Sequence, residues 1–181
     1  MRLTLVTPLF PPDVHSVAAY HKDLVARLQR NHAVSVLLYG HLPEQVPGVS
    51  FTTIDKRTNV LTRLRKMLTN LFSSRSKTDY YLITNGPSTE LPALLLSFFT
   101  RTPFILLLSD TLRREGISKQ IYTTLHTVLK RRAKAVISVN NDIPKLIRPE
   151  IHPLIFISAN ARAEYETTWA KHLTNIDQYL S

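Results

Sequence analysis

The sequence predicts an α/β domain, a doubly wound, Rossmann-like parallel sheet of about six or seven strands. Three observations carry this expectation. Short apolar runs at 2–7, 34–39 and 104–108 alternate with longer segments whose apolar residues recur at helical spacing. The opening reads strand, loop, helix and second strand within the first 39 residues, the spacing of a βαβ unit. The run Phe104–Leu108 is unbroken rather than alternating, which suits a parallel strand buried on both faces. The chain has 181 residues, 44% apolar and 20% charged, enough for one domain with a real core.

Each element follows from local chemistry. Arg2–Thr7 is the first strand, and Pro8–Ser16 is the loop at its carboxyl end. Val17–Gln29 has helical periodicity, and Val34–Tyr39 is the second strand. Pro47-Gly48 makes a turn before a short strand at Val49–Ile54. Thr58 or Asn59 caps a helix to about Phe72, broken by Ser73-Ser74-Arg75-Ser76. Asp79–Thr84 is the fourth strand and Asn85-Gly86-Pro87-Ser88 the loop after it. Ser88 or Thr89 then caps a helix with Glu90 in its first turn, favoured there by the helix dipole. Pro103–Leu108 is the fifth strand, Ile117–Arg132 a helix with basic residues in its last turn, and Ala133–Val139 the sixth strand. Past Asn140 a short helix at Asp142-Ile143-Pro144, a linker through 143–157 with a brief apolar run, and a final amphipathic helix at 158–181 are expected. The apolar face of that helix, Tyr165, Trp169, Leu173 and Ile176, must pack back on the domain.

Composition narrows the partners. A net charge of +10 favours anionic ones: a phosphorylated ligand, an anionic membrane face, or nucleic acid. The absence of cysteine removes disulfides, thiolate metal sites and cysteine nucleophiles, and suits a reducing, cytoplasmic setting. No signal peptide or membrane-spanning run is expected. The seven histidines show no metal-ligand spacing, and no Walker loop or nucleophile elbow occurs. No metal or cofactor is therefore expected. Nucleic acid is the weakest of the anionic partners, because the basic run from Lys56 to Lys77 lacks the interleaved aromatics of a binding platform.

An ordered series of segments carries a family resemblance over residues 1–142: Val6-Thr7-Pro8-Leu9-Phe10-Pro11-Pro12, the helix from Val17, Val34–Tyr39 with Gly40-His41-Leu42-Pro43, Asn85-Gly86-Pro87-Ser88, and Ala135–Asn141. This series resembles the N-terminal, acceptor-side domain of GT-B glycosyltransferases of the family 4 type. The resemblance implies a hexosyl transfer from a nucleotide-sugar to a lipid-linked or glycan acceptor, with the donor domain supplied by another chain and little activity alone. The final helix resembles the one that closes such proteins back onto this domain. The alternative is a non-catalytic remnant that serves as a binding or scaffold module. A homo-oligomer or a donor-domain partner would cover the open half-cleft.

The candidate site residues follow from this reading. The family's glycine loop after the first strand is replaced by Asp13-Val14-His15-Ser16, whose His15 and Ser16 side chains crowd a diphosphate's approach, and His15 is either a phosphate contact or a solvated loop histidine. Asn85, Gly86 and Ser88 lie at a strand's carboxyl end, where ligands of such sheets bind. Glu90 either binds a sugar hydroxyl or serves the helix dipole. Ser109 and Asp110 stand where the family commonly has a histidine, and Asp110 is either an acceptor base or a helix cap. In Val60–Phe72, Arg63, Arg65 and Lys66 flank an apolar stripe, giving either a membrane-surface helix, peripheral at the inner face, or a solvated cover for the sheet.

Overall fold

The computed structural model describes residues 1–13, 16–108, 117–138 and 159–180. It shows an α/β Rossmann-like fold with a six-stranded parallel sheet. The strands are β1 (Arg2–Thr7), β2 (Ala33–Tyr39), β3 (Ser50–Ile54), β4 (Tyr80–Thr84), β5 (Phe104–Leu108) and β6 (Ala135–Ser138). Their spatial order is β3-β2-β1-β4-β5-β6, and every pairing is parallel. The order reverses between β1 and β4, the switch point at which such sheets open a crevice at their carboxyl ends.

Among the described residues five helices cover the two faces: α1 (Ser16–Leu28), α2 (Val60–Ser74), α3 (Pro87–Phe99), α4 (Ile117–Arg132) and α5 (Ala159–Leu180). Leu5, Val36, Leu82, Ile105 and Ile137 point to one face, where Tyr20 and Leu24 of α1 and Tyr165, Trp169 and Ile176 of α5 meet them. Val6, Leu37, Tyr81, Ile83 and Leu106 point to the other, against Met67 and Leu71 of α2, Ala93 and Leu96 of α3, and Leu129 of α4. Alternation along each strand thus feeds two apolar layers, as a sheet with helices on both sides requires.

Several boundaries depart from the sequence expectation for identifiable reasons. Asn59 caps α2, its side-chain oxygen accepting from Thr62 N–H at 2.8 Å. The serine-rich stretch at 73–76 does not break the helix: Ser73 and Ser74 bond back to carbonyls three and four residues earlier, and a 3-10 turn at Arg75–Lys77 follows. Gly86, not Ser88 or Thr89, is the N-cap of α3, with Pro87 at its first position. β6 begins only at Ala135, because Ala133 and Lys134 form the turn out of α4. The expected linker at 143–157 lies outside the described residues.

α5 is fixed mainly to α1. Trp169, fully buried, stacks on Tyr20 with centroids 5.2 Å apart and planes 11° from parallel. The Arg27 guanidinium grips both oxygens of Glu166 at 2.8 and 2.9 Å, pairs with Asp23, and lies over the Trp169 ring. Tyr165 donates to Asp23, and the Tyr20 hydroxyl lies 2.6 Å from His172 Nε2. Burial raises the Tyr20 phenol far above its ordinary range and pushes the His172 imidazole down to about 4, so the tyrosine donates to a neutral histidine.

Two outcomes follow. Trp169→Ala is expected to lower stability by roughly 3–5 kcal/mol, read as a shift of the urea midpoint, because a large aromatic leaves a cavity the two helices cannot close. The His172 value in the folded chain lies below the ordinary 6.5, so the unfolded chain binds more protons between pH 6.5 and about 4. The stability His172 contributes is present above pH 6.5 and lost as pH falls to about 4, a difference of about 3 kcal/mol. Urea titrations at pH 7 and pH 4.5 should show this loss in the wild type and a much smaller one in His172→Gln.

Candidate functional site

The carboxyl ends of β1, β2 and β3 and the loops that leave them enclose a cavity of about 200 Å³. Phe10, Pro11, Gly40, His41, Lys56 and Arg57 are among the residues that line it. The loop after β1 is held from below. His21, buried on α1, places Nδ1 2.8 Å from the Leu9 carbonyl and 3.0 Å from the Thr7 hydroxyl. The Pro11–Pro12 peptide is cis, and Pro11 C=O accepts from Glu44 N–H at 2.9 Å, which ties this loop to the one after β2. Phe10 anchors the rim, edge-on to Phe51 at 5.3 Å.

Charge at the mouth is mixed, with Lys56 and Arg57 sharing it with Asp13 and Asp55. Lys56 Nζ donates to both oxygens of Asp13 at 2.7 and 2.9 Å, and Arg57 lies exposed beside it. A half-exposed pair of this kind contributes little to stability. In the sequence His41 belongs to the Gly40–Pro43 motif and Lys56 and Arg57 open the basic run, but none of the three stands among the candidate site residues. Each follows a strand's carboxyl end, the signal that could have found them.

The second set of candidate residues surrounds the start of α3. Gly86 has φ +143°, a backbone state that L side chains rarely adopt, and it turns β4 directly into α3. Asn85 N–H donates to Leu107 C=O at 3.0 Å, fixing that turn on β5. Pro92 within α3 has no N–H for the Ser88 carbonyl, which accepts instead from the Tyr39 hydroxyl at 2.9 Å. The Tyr39 phenol is pushed up to about 12 by burial, with the nearby positive charge of Arg63 acting in the opposite direction. A proline and a tyrosine thereby lock the end of β2 to the first turn of α3.

Glu90 lies beneath this turn rather than in the cleft. It is fully buried, and Oε1 accepts from His126 Nδ1 at 2.8 Å and from the Tyr122 hydroxyl at 3.2 Å. Oε2 has no hydrogen-bond partner among the described residues. The arrangement joins α3 to α4. His126 carried no motif signal, since the contact exists only because two consecutive helices pack side by side.

The remaining candidates separate. Ser16 opens α1, and His15, Ser109 and Asp110 fall outside the described residues. Ser88 is exposed. On α2, Arg65 and Lys66 are exposed and Arg63 is half-buried by Tyr39. Met67 and Leu71 of the α2 apolar stripe are buried in the core, which leaves Val60 and Leu61 as its exposed part. No cluster of metal-ligating side chains occurs among the described residues. No described helix is long and apolar enough to cross a membrane.

A larger groove, about 480 Å³, lies at the opposite, amino-terminal ends of the strands. Its hydroxyls already serve the fold: Thr4 bonds Ser35 and Thr78, each at 2.8 Å, and Ser73 and Ser74 bond α2 carbonyls. Size alone therefore does not make it the site. The smaller cavity lies at the carboxyl ends of the strands, beside the β1/β4 switch point, with Arg57 exposed at its mouth.

No family model matches the chain, and no curated protein matches it in sequence. Solved structures match its fold. A protein designated a UDP-N-acetylglucosamine 2-epimerase from Listeria monocytogenes has a TM-score of 0.53 at 11% identity, over 76% of this chain and 39% of that one. UDP-GlcNAc 2-epimerase from Methanocaldococcus jannaschii gives 0.48 at 10%, over 76% and 39%. The C-terminal domain of the coenzyme A biosynthesis bifunctional protein CoaBC gives 0.47 at 8%, over 97% and 96%. The first likeness shows a shared Rossmann-like fold, and the chain spans 39% of that structure's length.

The strand-to-helix turn gives a direct check on the site's framework. Gly86→Ala is expected to cost roughly 1–3 kcal/mol, seen as a lowered thermal midpoint, because its φ of +143° strains any Cβ-bearing residue.

Proposed function

We propose that the chain is the acceptor-side domain of a GT-B-type glycosyl-transferring protein, and that its carboxyl-end cavity holds the phosphorylated or sugar part of the ligand. The observation that carries this reading is the cavity bordered by His41, Lys56 and Arg57 at the carboxyl ends of three parallel strands. Its volume of about 200 Å³ is below the ~300 Å³ lower end of common ligand pockets. That suits one sugar ring or phosphate, not a whole nucleotide-sugar. The family resemblance of the strand and loop motifs points the same way, and a nucleotide-sugar enzyme name on a structure of the same fold is consistent with it.

In this reading the chain orients an acceptor, and the groups that stabilise the departing diphosphate come from a donor domain on further sequence or another chain. Lys56 and Arg57 bind negative charge, while the Pro11–Glu44 bond and the Tyr39–Ser88 bond keep the cleft walls fixed. A non-catalytic binding module is the second reading. It is favoured by the pairing of Asp13, the cavity's nearest carboxylate to Lys56, which leaves that group poorly placed as a base.

Nuclear magnetic resonance titration separates these from a chain with no ligand there. N-acetylglucosamine 1-phosphate is expected to shift the amides of Phe10, Asp13, Gly40, His41, Leu42, Asp55, Lys56 and Arg57, and Lys56→Ala/Arg57→Ala to weaken its binding at least roughly tenfold, since two charge-assisted contacts are lost. Shifts confined to residues 70–78 would place the ligand in the opposite groove and overturn the assignment. Binding without transfer, even when a donor domain is added, would favour the module.

A further inference from the structure

The end of the molecule opposite the cleft has its own chemistry. α2, α3 and α4 all run against the strands, so their carboxyl ends meet at the amino-terminal side of the sheet. The last turn of α3 leaves Phe98 57% and Phe99 71% exposed, side by side. Phe99 leans on Phe72 of α2 at 6.0 Å. Arg132 of α4 lies 4.2 Å over Phe98 and is fastened to Ser97 through Oγ at 2.8 Å and C=O at 2.6 Å. These contacts make one continuous surface from three helix ends.

Its charge is one-sided. Arg75 lies 5.9 Å over Phe72, Arg101 follows α3 by two residues, and Lys130 and Arg131 stand exposed in the last turn of α4 beside Arg132. Within residues 72–80, 97–103 and 127–138 the sole acidic residue is Asp79, and it is already held by Arg2 at 2.7 Å. Exposed aromatics beside cations, with no free carboxylate in these stretches, mark an interaction surface rather than ordinary solvated polarity.

We propose that this basal face, centred on Phe98 and Phe99, docks on an anionic lipid bilayer. The phenylalanines enter the headgroup boundary while the surrounding lysines and arginines meet lipid phosphates. A single-stranded nucleic acid fits less well, because Arg132 already occupies a face of the Phe98 ring on which a base would stack. Docking there points the carboxyl-end cleft away from the bilayer and moves membrane contact off Arg63, Arg65 and Lys66 of α2, whose stripe residues Met67 and Leu71 belong to the core. The proposal is independent of the sugar-phosphate reading.

Co-sedimentation of the full chain with vesicles tests it. Binding is expected to phosphatidylcholine vesicles that contain phosphatidylglycerol and not to phosphatidylcholine alone. Phe98→Ser/Phe99→Ser should weaken binding roughly tenfold or more, with the circular dichroism spectrum unchanged. Arg101→Glu/Arg131→Glu should weaken it far more than Arg65→Glu/Lys66→Glu, which changes the net charge equally. No vesicle binding, insensitivity to the phenylalanine change, equal loss from the two charge reversals, or displacement of the vesicles by a single-stranded oligonucleotide at equal concentration would each overturn it.

Discussion

The structure depends on one requirement: a parallel sheet whose strands are apolar on both faces must be covered on both faces. α2, α3 and α4 meet it on one side. On the other, α1 lies over β1 and β2, and the apolar residues of β4, β5 and β6 need a second helix. α5 supplies it, inserting Tyr165, Trp169, Ile176 and Leu180 into the same cluster as Leu82, Ile105 and Ile137. The Trp169–Tyr20 stack then places a large aromatic where two helices and the sheet converge. Around it, Arg27 satisfies charge at the edge of the contact while His172 stays neutral inside it.

This cover also positions the cleft. α1 carries both Tyr20, which meets α5, and its neighbour His21, which holds the loop after β1. A displacement of α1 therefore moves the loop that bears Phe10, Pro11 and Asp13. The cleft's other wall is fixed independently, through Tyr39, Ser88 and the proline that frees the Ser88 carbonyl. The carboxyl end of the sheet thus has fixed walls and a small mouth of mixed charge, while the opposite end presents exposed aromatics among cations. The two proposed binding surfaces do not overlap.

Much of this fold was legible in the residues. Uninterrupted apolar runs and a βαβ opening give parallel strands, and helical spacing in between gives the cover. Caps and ends were less legible where two local preferences competed. At 73–76 serine favoured a break by composition but bonded back to the helix, and at 86–89 glycine outcompeted serine because the turn demands a positive φ. The site was only partly legible. Asn85, Gly86 and Ser88 do sit at the switch point, whereas Glu90 proved to be a buried partner of His126, a contact set by helix packing that no linear spacing encodes. Lys56, Arg57 and His41 come together through strand register, so their convergence required the sheet order. The basic helix was read from its wheel alone, which cannot show that Met67 and Leu71 face the core.

The most direct test of the account is native-state hydrogen exchange of the full chain across low denaturant concentrations. If α5 completes the core, its amides near Trp169 exchange with the same opening free energy and denaturant dependence as those of β1, β4 and β5. If α5 amides open at a far lower free energy while the sheet stays protected, the helix is an appendage, and the requirement from which the rest of the structure has been derived is wrong.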